Sequence, residues 1–264
     1  MTASLQSSRR NAGLRAVVTG GTQGVGRAIA LRLAAEGADA VVIAGRDERR
    51  GRAVEAELAA LGTTALFVQT DVAVAADCEA LIDTALARLG GLDGLVNAAG
   101  IADRSSLVDT TLEAWDRHFN TNARGPFLLM QGLVRHLLAT GRPGGIVNIV
   151  SMEAHRGGRN STPYSASKAA LANLTRNTAS AYARNRIRCN AILPGWMDTP
   201  GEDAIQKSWH GQPEGWLAEA ERSMPMGQLA KPDQLAGLVA YMLSPESGVM
   251  TGALVDYDQT VVGA

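Results

Sequence analysis

Short apolar runs alternate with longer stretches of helical period from about residue 14 to near the end of the chain. The first run, Arg15-Ala16-Val17-Val18-Thr19, gives way to a helical pattern reaching about Glu36, and a second run, Ala40-Val41-Val42-Ile43-Ala44, follows. That order predicts a strand–helix–strand unit. Further apolar runs at 65–70, 94–97, 146–150, 187–193 and 253–257, each separated by helical sequence, bring the prediction to seven strands. Strands apolar on both faces and interleaved with helices form a parallel sheet covered on each side, and right-handed crossovers make it doubly wound. The expected architecture is one α/β domain over 14–264, with ligands bound beyond the carboxyl ends of the strands. Residues 1–13 are small, polar and basic and read as a flexible tail. The one long irregular stretch, 196–213, reads as part of a lid spanning about 196–217.

Composition narrows the possible partners. With 264 residues, 46% of them hydrophobic, and a net charge of −1, the chain can bury a sizeable core and has no electrostatic bias toward nucleic acid or an anionic membrane. No apolar run approaches the roughly 20 residues needed to cross a bilayer, and residues 1–10 lack the apolar core of a signal peptide. A cytoplasmic enzyme acting on a small molecule is the expectation. Cys78 and Cys189 read as packing residues, and His118, His136, His155 and His210 lack metal-ligand spacing, so no metal is expected.

Two local patterns carry chemistry. After the first strand, Thr19-Gly20-Gly21-Thr22-Gln23-Gly24-Val25-Gly26 opens directly into a helix. Glycines there let the backbone approach a pyrophosphate, whose charge suits a helix N-terminus. Farther on, Tyr164 and Lys168 stand four residues apart where another helix begins, which stacks them on one face. A free tyrosine has a pKa of about 10, and a shift of roughly three units requires ~4 kcal/mol. A cation about 4 Å away supplies on the order of 4 kcal/mol at an effective dielectric of about 20. Thr162 as cap and Pro163 at the first helical position would add the positive end of the helix dipole.

Asn97-Ala98-Ala99-Gly100 follows the fourth strand, Ser151 stands thirteen residues before Tyr164, and Pro194-Gly195 follows the sixth strand. In this order the motifs resemble those of the short-chain dehydrogenase/reductase family, over about residues 14–258. The resemblance implies a single-domain Rossmann-type fold and hydride transfer between NAD(P)(H) and a secondary alcohol or ketone. It implies Tyr164 as the acid/base, Lys168 as the group that lowers its pKa and contacts the nicotinamide ribose, and Ser151 as hydrogen-bond partner of the reacting oxygen. Asn122, in Asn122-Ala123-Arg124-Gly125, would support a water-linked proton relay, with a helix-kink residue the lesser alternative. For the cofactor, the resemblance implies Gly20, Thr22, Gln23, Gly24, Val25 and Gly26 at the phosphates, Asp71 and Val72 at the adenine, and Asn97, Ala98 and Gly100 on the ribose side. Pro194, Gly195 and Thr199 would meet the nicotinamide. A homotetramer or homodimer is implied too, with contacts from helices around 113–136 and 163–183.

At the end of the second strand, Ala44-Gly45-Arg46 lacks the acid that would bind a ribose diol, and Gly45 stands about where that acid is expected. Arg46 beside it can bind a phosphate on the ribose, which favours NADP, with NAD the alternative. Arg46, Arg49, Arg50 and Arg52 also read as a solvated basic face. Glu153, His155, Arg159 and Asn160, with Arg104 and Trp196, suggest a mixed pocket for a polyol, sugar or other small hydroxylated substrate. Two alternatives stay open: a 3-oxoacyl-type ketoreductase, and a non-catalytic NAD(P)-binding regulator. Tyr257-Asp258-Gln259-Thr260 stands where the family commonly has Val-Asp-Gly-Gly, a departure that bears on a subunit contact or a neighbouring pocket.

Overall fold

The computed structural model describes residues 9–262. β1 (Arg15–Thr19), α1 (Gly24–Ala35) and β2 (Ala40–Gly45) form the first strand–helix–strand unit. α2 (Glu48–Ala60), β3 (Thr64–Gln69), α3 (Ala75–Leu89) and β4 (Gly94–Asn97) follow. Next come α4 (Leu112–Phe119), α5 (Gly125–Thr140), β5 (Gly144–Ile149), α6 (Thr162–Tyr182) and β6 (Ile187–Pro194). α7 (Pro200–Ser208), α8 (Trp216–Ser223), α9 (Pro232–Leu243) and β7 (Leu254–Tyr257) complete the order.

The seven strands form one sheet in the order β3-β2-β1-β4-β5-β6-β7. Every neighbouring pair is parallel. This is the doubly wound Rossmann-type sheet that the apolar runs predict. Alternation along β1 shows how both faces are buried: Val17 joins the core shared with α3, α5 and α6, while Val18 joins the core shared with α1, α2 and α9. Both valines are fully buried, as are Val42 and Ile43 on β2. The chain leaves β1 toward one edge of the sheet and β4 toward the other, so a crevice opens between their carboxyl ends.

Close packing shapes the turn at that crevice. Gly20 has a φ of 66°, the left-handed region open to glycine, and a methyl at Gly26 would lie 2.3 Å from the Gly20 carbonyl oxygen. A side chain at Gly26 would push α1 away from the turn, and one at Gly20 would meet the Ala99 backbone at 2.9 Å. Behind the crevice, Asn148 on β5 ties the layers together. Its Oδ1 accepts from Asn97 Nδ2 at 2.8 Å, and its Nδ2 donates to Thr175 Oγ1 on α6 at 2.9 Å.

Three expectations from the sequence are corrected. Of the flexible tail expected at 1–13, residues 1–8 lie outside the described residues, and 9–13 are anchored. Asn11 is buried and bonds Glu36 through both its backbone N–H and its side-chain amide, and Arg10 pairs with the same carboxylate at 2.8 Å. The stretch 196–213 is not irregular throughout, since α7 occupies Pro200–Ser208. Thr199 Oγ1 accepts from Glu202 N–H, Pro200 occupies the first turn, and Glu202 and Asp203 meet the positive end of the helix, so α7 starts on four favourable residues. Thr162 is the first residue of α6 rather than its cap. Ser161 precedes the helix, but its hydroxyl donates to Glu153 Oε2 instead of capping.

The unusual C-terminal segment also has a structural role. Gln259 Nε2 donates to the Gln228 carbonyl, and its Oε1 accepts from Met226 N–H, so the side chain clamps the segment between α8 and α9. Asp258 packs so tightly on Gly195 that a methyl there would lie 1.9 Å from Asp258 Oδ1. Among the described residues, no helix is long and apolar enough to cross a membrane.

Candidate active site

Two adjoining hollows occupy the crevice. A groove of about 280 Å³ runs along the ends of β1, β2 and β3, and a cavity of about 490 Å³ lies beyond β4, β5 and β6. They share Val25, Ala98, Gly100, Ile101, Thr199 and Gly201, so a ligand in one can reach the other. The groove brings together Gly20, Thr22, Gln23, Gly24, Val25, Gly26, Arg46, Asp71, Val72, Ala98, Gly100 and Thr199, as expected from their positions in the chain. Asp71 Oδ1 accepts from Ala73 N–H at 2.9 Å, which holds the turn after β3 against the groove. Asn97 is the exception. Its side chain points along the buried sheet to Asn148 and lines neither hollow, because it belongs to the strand rather than to the turn that follows.

The larger cavity collects Ser151, Tyr164, Lys168, Glu153, Pro194, Gly195 and Trp196. Ser151 Oγ accepts from Glu153 N–H at 3.2 Å, and its hydroxyl stands within hydrogen-bonding reach of the Tyr164 phenol. Lys168 is buried, and its Nζ donates to the Ile149 carbonyl at the end of β5 at 2.9 Å. That single contact leaves other ammonium protons for a ligand. Burial drives the Lys168 pKa down to about 8. Its ammonium lies 5.9 Å from the centre of the Tyr164 ring.

The direction at Tyr164 departs from the simple pairing argument. Burial raises its pKa above the ordinary tyrosine value, outweighing the Ser151 hydroxyl and the Arg104 guanidinium, which pull it down; Glu153 and Glu202 push it up further. The phenol therefore keeps its proton at neutral pH in the ligand-free protein.

Asn122 is fully buried in a π-helical turn, Asn120–Arg124, between α4 and α5. The kink expected at this position is present. The wider turn is a kink, and the amide is held within it: Oδ1 accepts from Ile101 N–H, Nδ2 donates to the Ile101 carbonyl and to Ser167 Oγ, and the side chain lines neither hollow. A methyl at Gly100 would lie 3.2 Å from Asn122 Oδ1 and 3.3 Å from Lys168 Nζ, so glycine keeps the space between them open.

His155 lies outside the cavity. It sits in the exposed turn after Met152, and its Nε2 meets Asp256 Oδ1 at 2.9 Å. Arg159 and Asn160 also lie off the wall, whereas Arg104 is on it. Residues not anticipated are Glu202, Ile205 and Gln206, three and four apart on the inward face of α7, together with Met197 and Arg156. Their helical spacing was present in the sequence, hidden by reading that stretch as irregular. Arg50 and Asp47 were likewise missed as groove residues; they pair at 2.9 Å, and Arg50 also donates to Gln23. Trp196 stacks on Trp216 with 5.9 Å between ring centres, and their indole N–H groups donate to Glu202 and Asp203. Among the described residues no cluster of His, Cys, Asp and Glu could hold a metal ion.

This fold and site define a nucleotide-binding oxidoreductase, and comparison with known proteins is specific about its family. A family model described as enoyl-(acyl carrier protein) reductase matches residues 20–259. The chain is 39% identical to cis-4-hydroxycyclohexanecarboxylate dehydrogenase of Sinomonas cyclohexanicum, over 92% of this chain and 94% of that one. It is 34% identical to galactitol 2-dehydrogenase of Agrobacterium fabrum (strain C58), over 92% and 95% of the two chains. A crystal structure of a short chain dehydrogenase from Burkholderia cenocepacia J2315 in complex with NADP is similar at a TM-score of 0.84 and 37% identity, covering 95% of this chain and 98% of that one. The chain belongs to the short-chain dehydrogenase/reductase family. It is an NAD(P)-dependent oxidoreductase that moves a hydride between the coenzyme and a secondary alcohol or ketone.

The buried ammonium has a measurable cost. The unfolded chain holds the Lys168 proton up to a pKa of about 10.5 and the folded chain releases it at about 8, so folding is penalised below pH 8. That penalty is about 3 kcal/mol. It is relieved as pH rises from about 8 to about 10.5, where the unfolded state binds more protons. The difference in urea stability between wild type and Lys168→Met, without coenzyme, should therefore move in favour of wild type across that window. Parallel stability curves for the two proteins would contradict the assignment.

Proposed function

We propose that this protein is an NADP-dependent dehydrogenase or ketone reductase of a small hydroxylated ring or polyol substrate, with Tyr164 as its acid/base. The observation that carries this reading is the convergence of Ser151, Tyr164 and Lys168 on one cavity that opens into the dinucleotide groove beside Gly100. The names of the two relatives, a hydroxycyclohexanecarboxylate dehydrogenase and a galactitol dehydrogenase, support a compact hydroxylated substrate. When bound, the nicotinamide supplies or takes the hydride.

The chain's own residues do the rest. In reduction, Ser151 donates a hydrogen bond to the substrate oxygen as negative charge grows on it, and Tyr164 delivers its proton to that oxygen. A phenol whose pKa burial has raised is protonated and ready for this direction. Lys168 directs its remaining donors to ribose hydroxyls and, by its charge, stabilises the phenolate left after transfer. Asn122 carries the relay toward solvent, supported by its position across the gap at Gly100 from Lys168. α7 and α8 act as the lid in this reading, joined through the stacked Trp196 and Trp216.

The coenzyme choice rests on charge. Arg46 and Arg50 both line the groove where Gly45 offers no acid to bind a ribose diol, and the similar structure with bound NADP supports the same choice. Self-association is part of the proposal as well, supported by exposed Leu112, Trp115 and Phe127 on α4 and α5.

Each part has its own test. Tyr164→Phe should retain coenzyme affinity while kcat falls by about a hundredfold or more, read by coenzyme absorbance with polyols, sugars, hydroxy acids and ketones; a comparable kcat would remove Tyr164 from its role. Arg46→Asp should move the ratio of kcat/KM values toward NAD by about tenfold, and an unchanged ratio would remove the argument from Arg46. Sedimentation at micromolar concentration should give a dimer or tetramer, and a stable monomer would count against self-association.

A further inference from the structure

We infer that the substrate carries a carboxylate as well as the reacting alcohol or ketone, and that Arg104 is the residue that binds it. This deepens the proposed function and rests on it for the reacting carbon, although the anion site stands on observations of its own. Arg104 follows β4 and lines the cavity that holds Ser151 and Tyr164, but not the dinucleotide groove. Its Nε is buried and has no hydrogen-bond partner among the described residues. A buried guanidinium nitrogen left without an acceptor is costly, and the planar fork fits a carboxylate through two parallel bonds.

The other charged groups on this wall are engaged. Arg156 lies 3.4 Å from Glu153, whose other oxygen accepts from the hydroxyls of Ser161 and Ser165. Glu202 accepts from Trp196 and Gln206, and Lys168 is held at the Ile149 carbonyl. Arg104 is thus the cation on the cavity wall whose charge no protein group answers among the described residues. Its backbone is also fixed. Ser105 N–H donates to the Asn160 carbonyl at 3.0 Å, and Thr162 N–H donates to the Ser105 carbonyl at 3.3 Å, so the Arg104 loop is stitched to the turn from which α6 and Tyr164 begin. The guanidinium and the phenol are near enough for the charge of one to draw down the pKa of the other. Both groups line one cavity of about 490 Å³, so a compact keto or hydroxy acid can meet both, whereas a long chain would carry its anion beyond it.

The test uses keto acids and neutral amides matched in size: acetoacetate against acetoacetamide, and levulinate against levulinamide. In wild type, kcat/KM for the acid should exceed that for its amide by about tenfold or more, Arg104→Gln should bring the ratio near one, and Arg104→Lys should keep part of it. An action of Arg104 on Tyr164 alone would scale acid and amide equally and leave the ratio unchanged, which would overturn the proposal. Calorimetric titration of the coenzyme-loaded protein with cyclohexanecarboxylate and cyclohexanecarboxamide reads the same contact without turnover. Tighter carboxylate binding that Arg104→Gln abolishes is the expected result. Equal affinities, or no carboxylate binding to wild type, would overturn the anion site. Discrimination in the titration with no turnover of any ketone would leave the anion site standing and bring down the reaction assigned under the proposed function.

Discussion

An all-parallel sheet sends every strand out at the same edge, and the rest of this molecule is arranged around that constraint. The loops after β1, β4, β5 and β6 have to share one edge, and the reversal of direction between β1 and β4 leaves a gap in their midst. Glycines at 20 and 26 let the turn after β1 pack closely against its neighbours, and Gly100 keeps the gap open at the β4 side. Ser151 stands just past β5, and Pro194 and Gly195 at the end of β6. Residues separated by more than a hundred positions in sequence thereby face one volume.

Into that volume the fold places charges that water would otherwise solvate. Lys168 is held under the end of β5 by one carbonyl, with its pKa depressed toward neutrality, and Arg104 stands on the cavity wall with a nitrogen unanswered. Folding such groups into the interior costs stability, and the cost is tolerable only because the two apolar layers beside the sheet are continuous. A site that is electrostatically incomplete by itself has free energy to gain from a ligand that completes it. Tyr164 illustrates the same point, since burial holds it protonated until charge beside it changes.

Much of this was legible along the chain. The seven apolar runs foretell the sheet, and the glycine turn, Ser151, Tyr164 and Lys168 were all singled out and do meet at the crevice. The misreadings share a cause. Asn97 looks like part of a cofactor turn, but whether its amide faces a ligand or a neighbouring strand depends on Asn148, fifty-one positions away. His155 has the chemistry of a site residue, yet Asp256 on the last strand draws it outward. The stretch after Trp196 seemed irregular because its helices are short, eight and nine residues, and the inward face of α7 becomes visible only once Glu202, Ile205 and Gln206 are seen on the same wall.

The sequence by itself determined the alternation of strands and helices, the tight glycine turn and the four-residue spacing of Tyr164 and Lys168, because each depends on local sterics and periodicity. Only the tertiary structure decided which polar groups are answered and which are not. Burial raises one pKa and lowers another, Asn122 is held against Ile101 and Ser167 by a π-helical turn, and Arg104 is left facing the cavity without a partner. Those outcomes depend on desolvation and on neighbours brought together across the sheet, quantities that no stretch of chain contains in isolation.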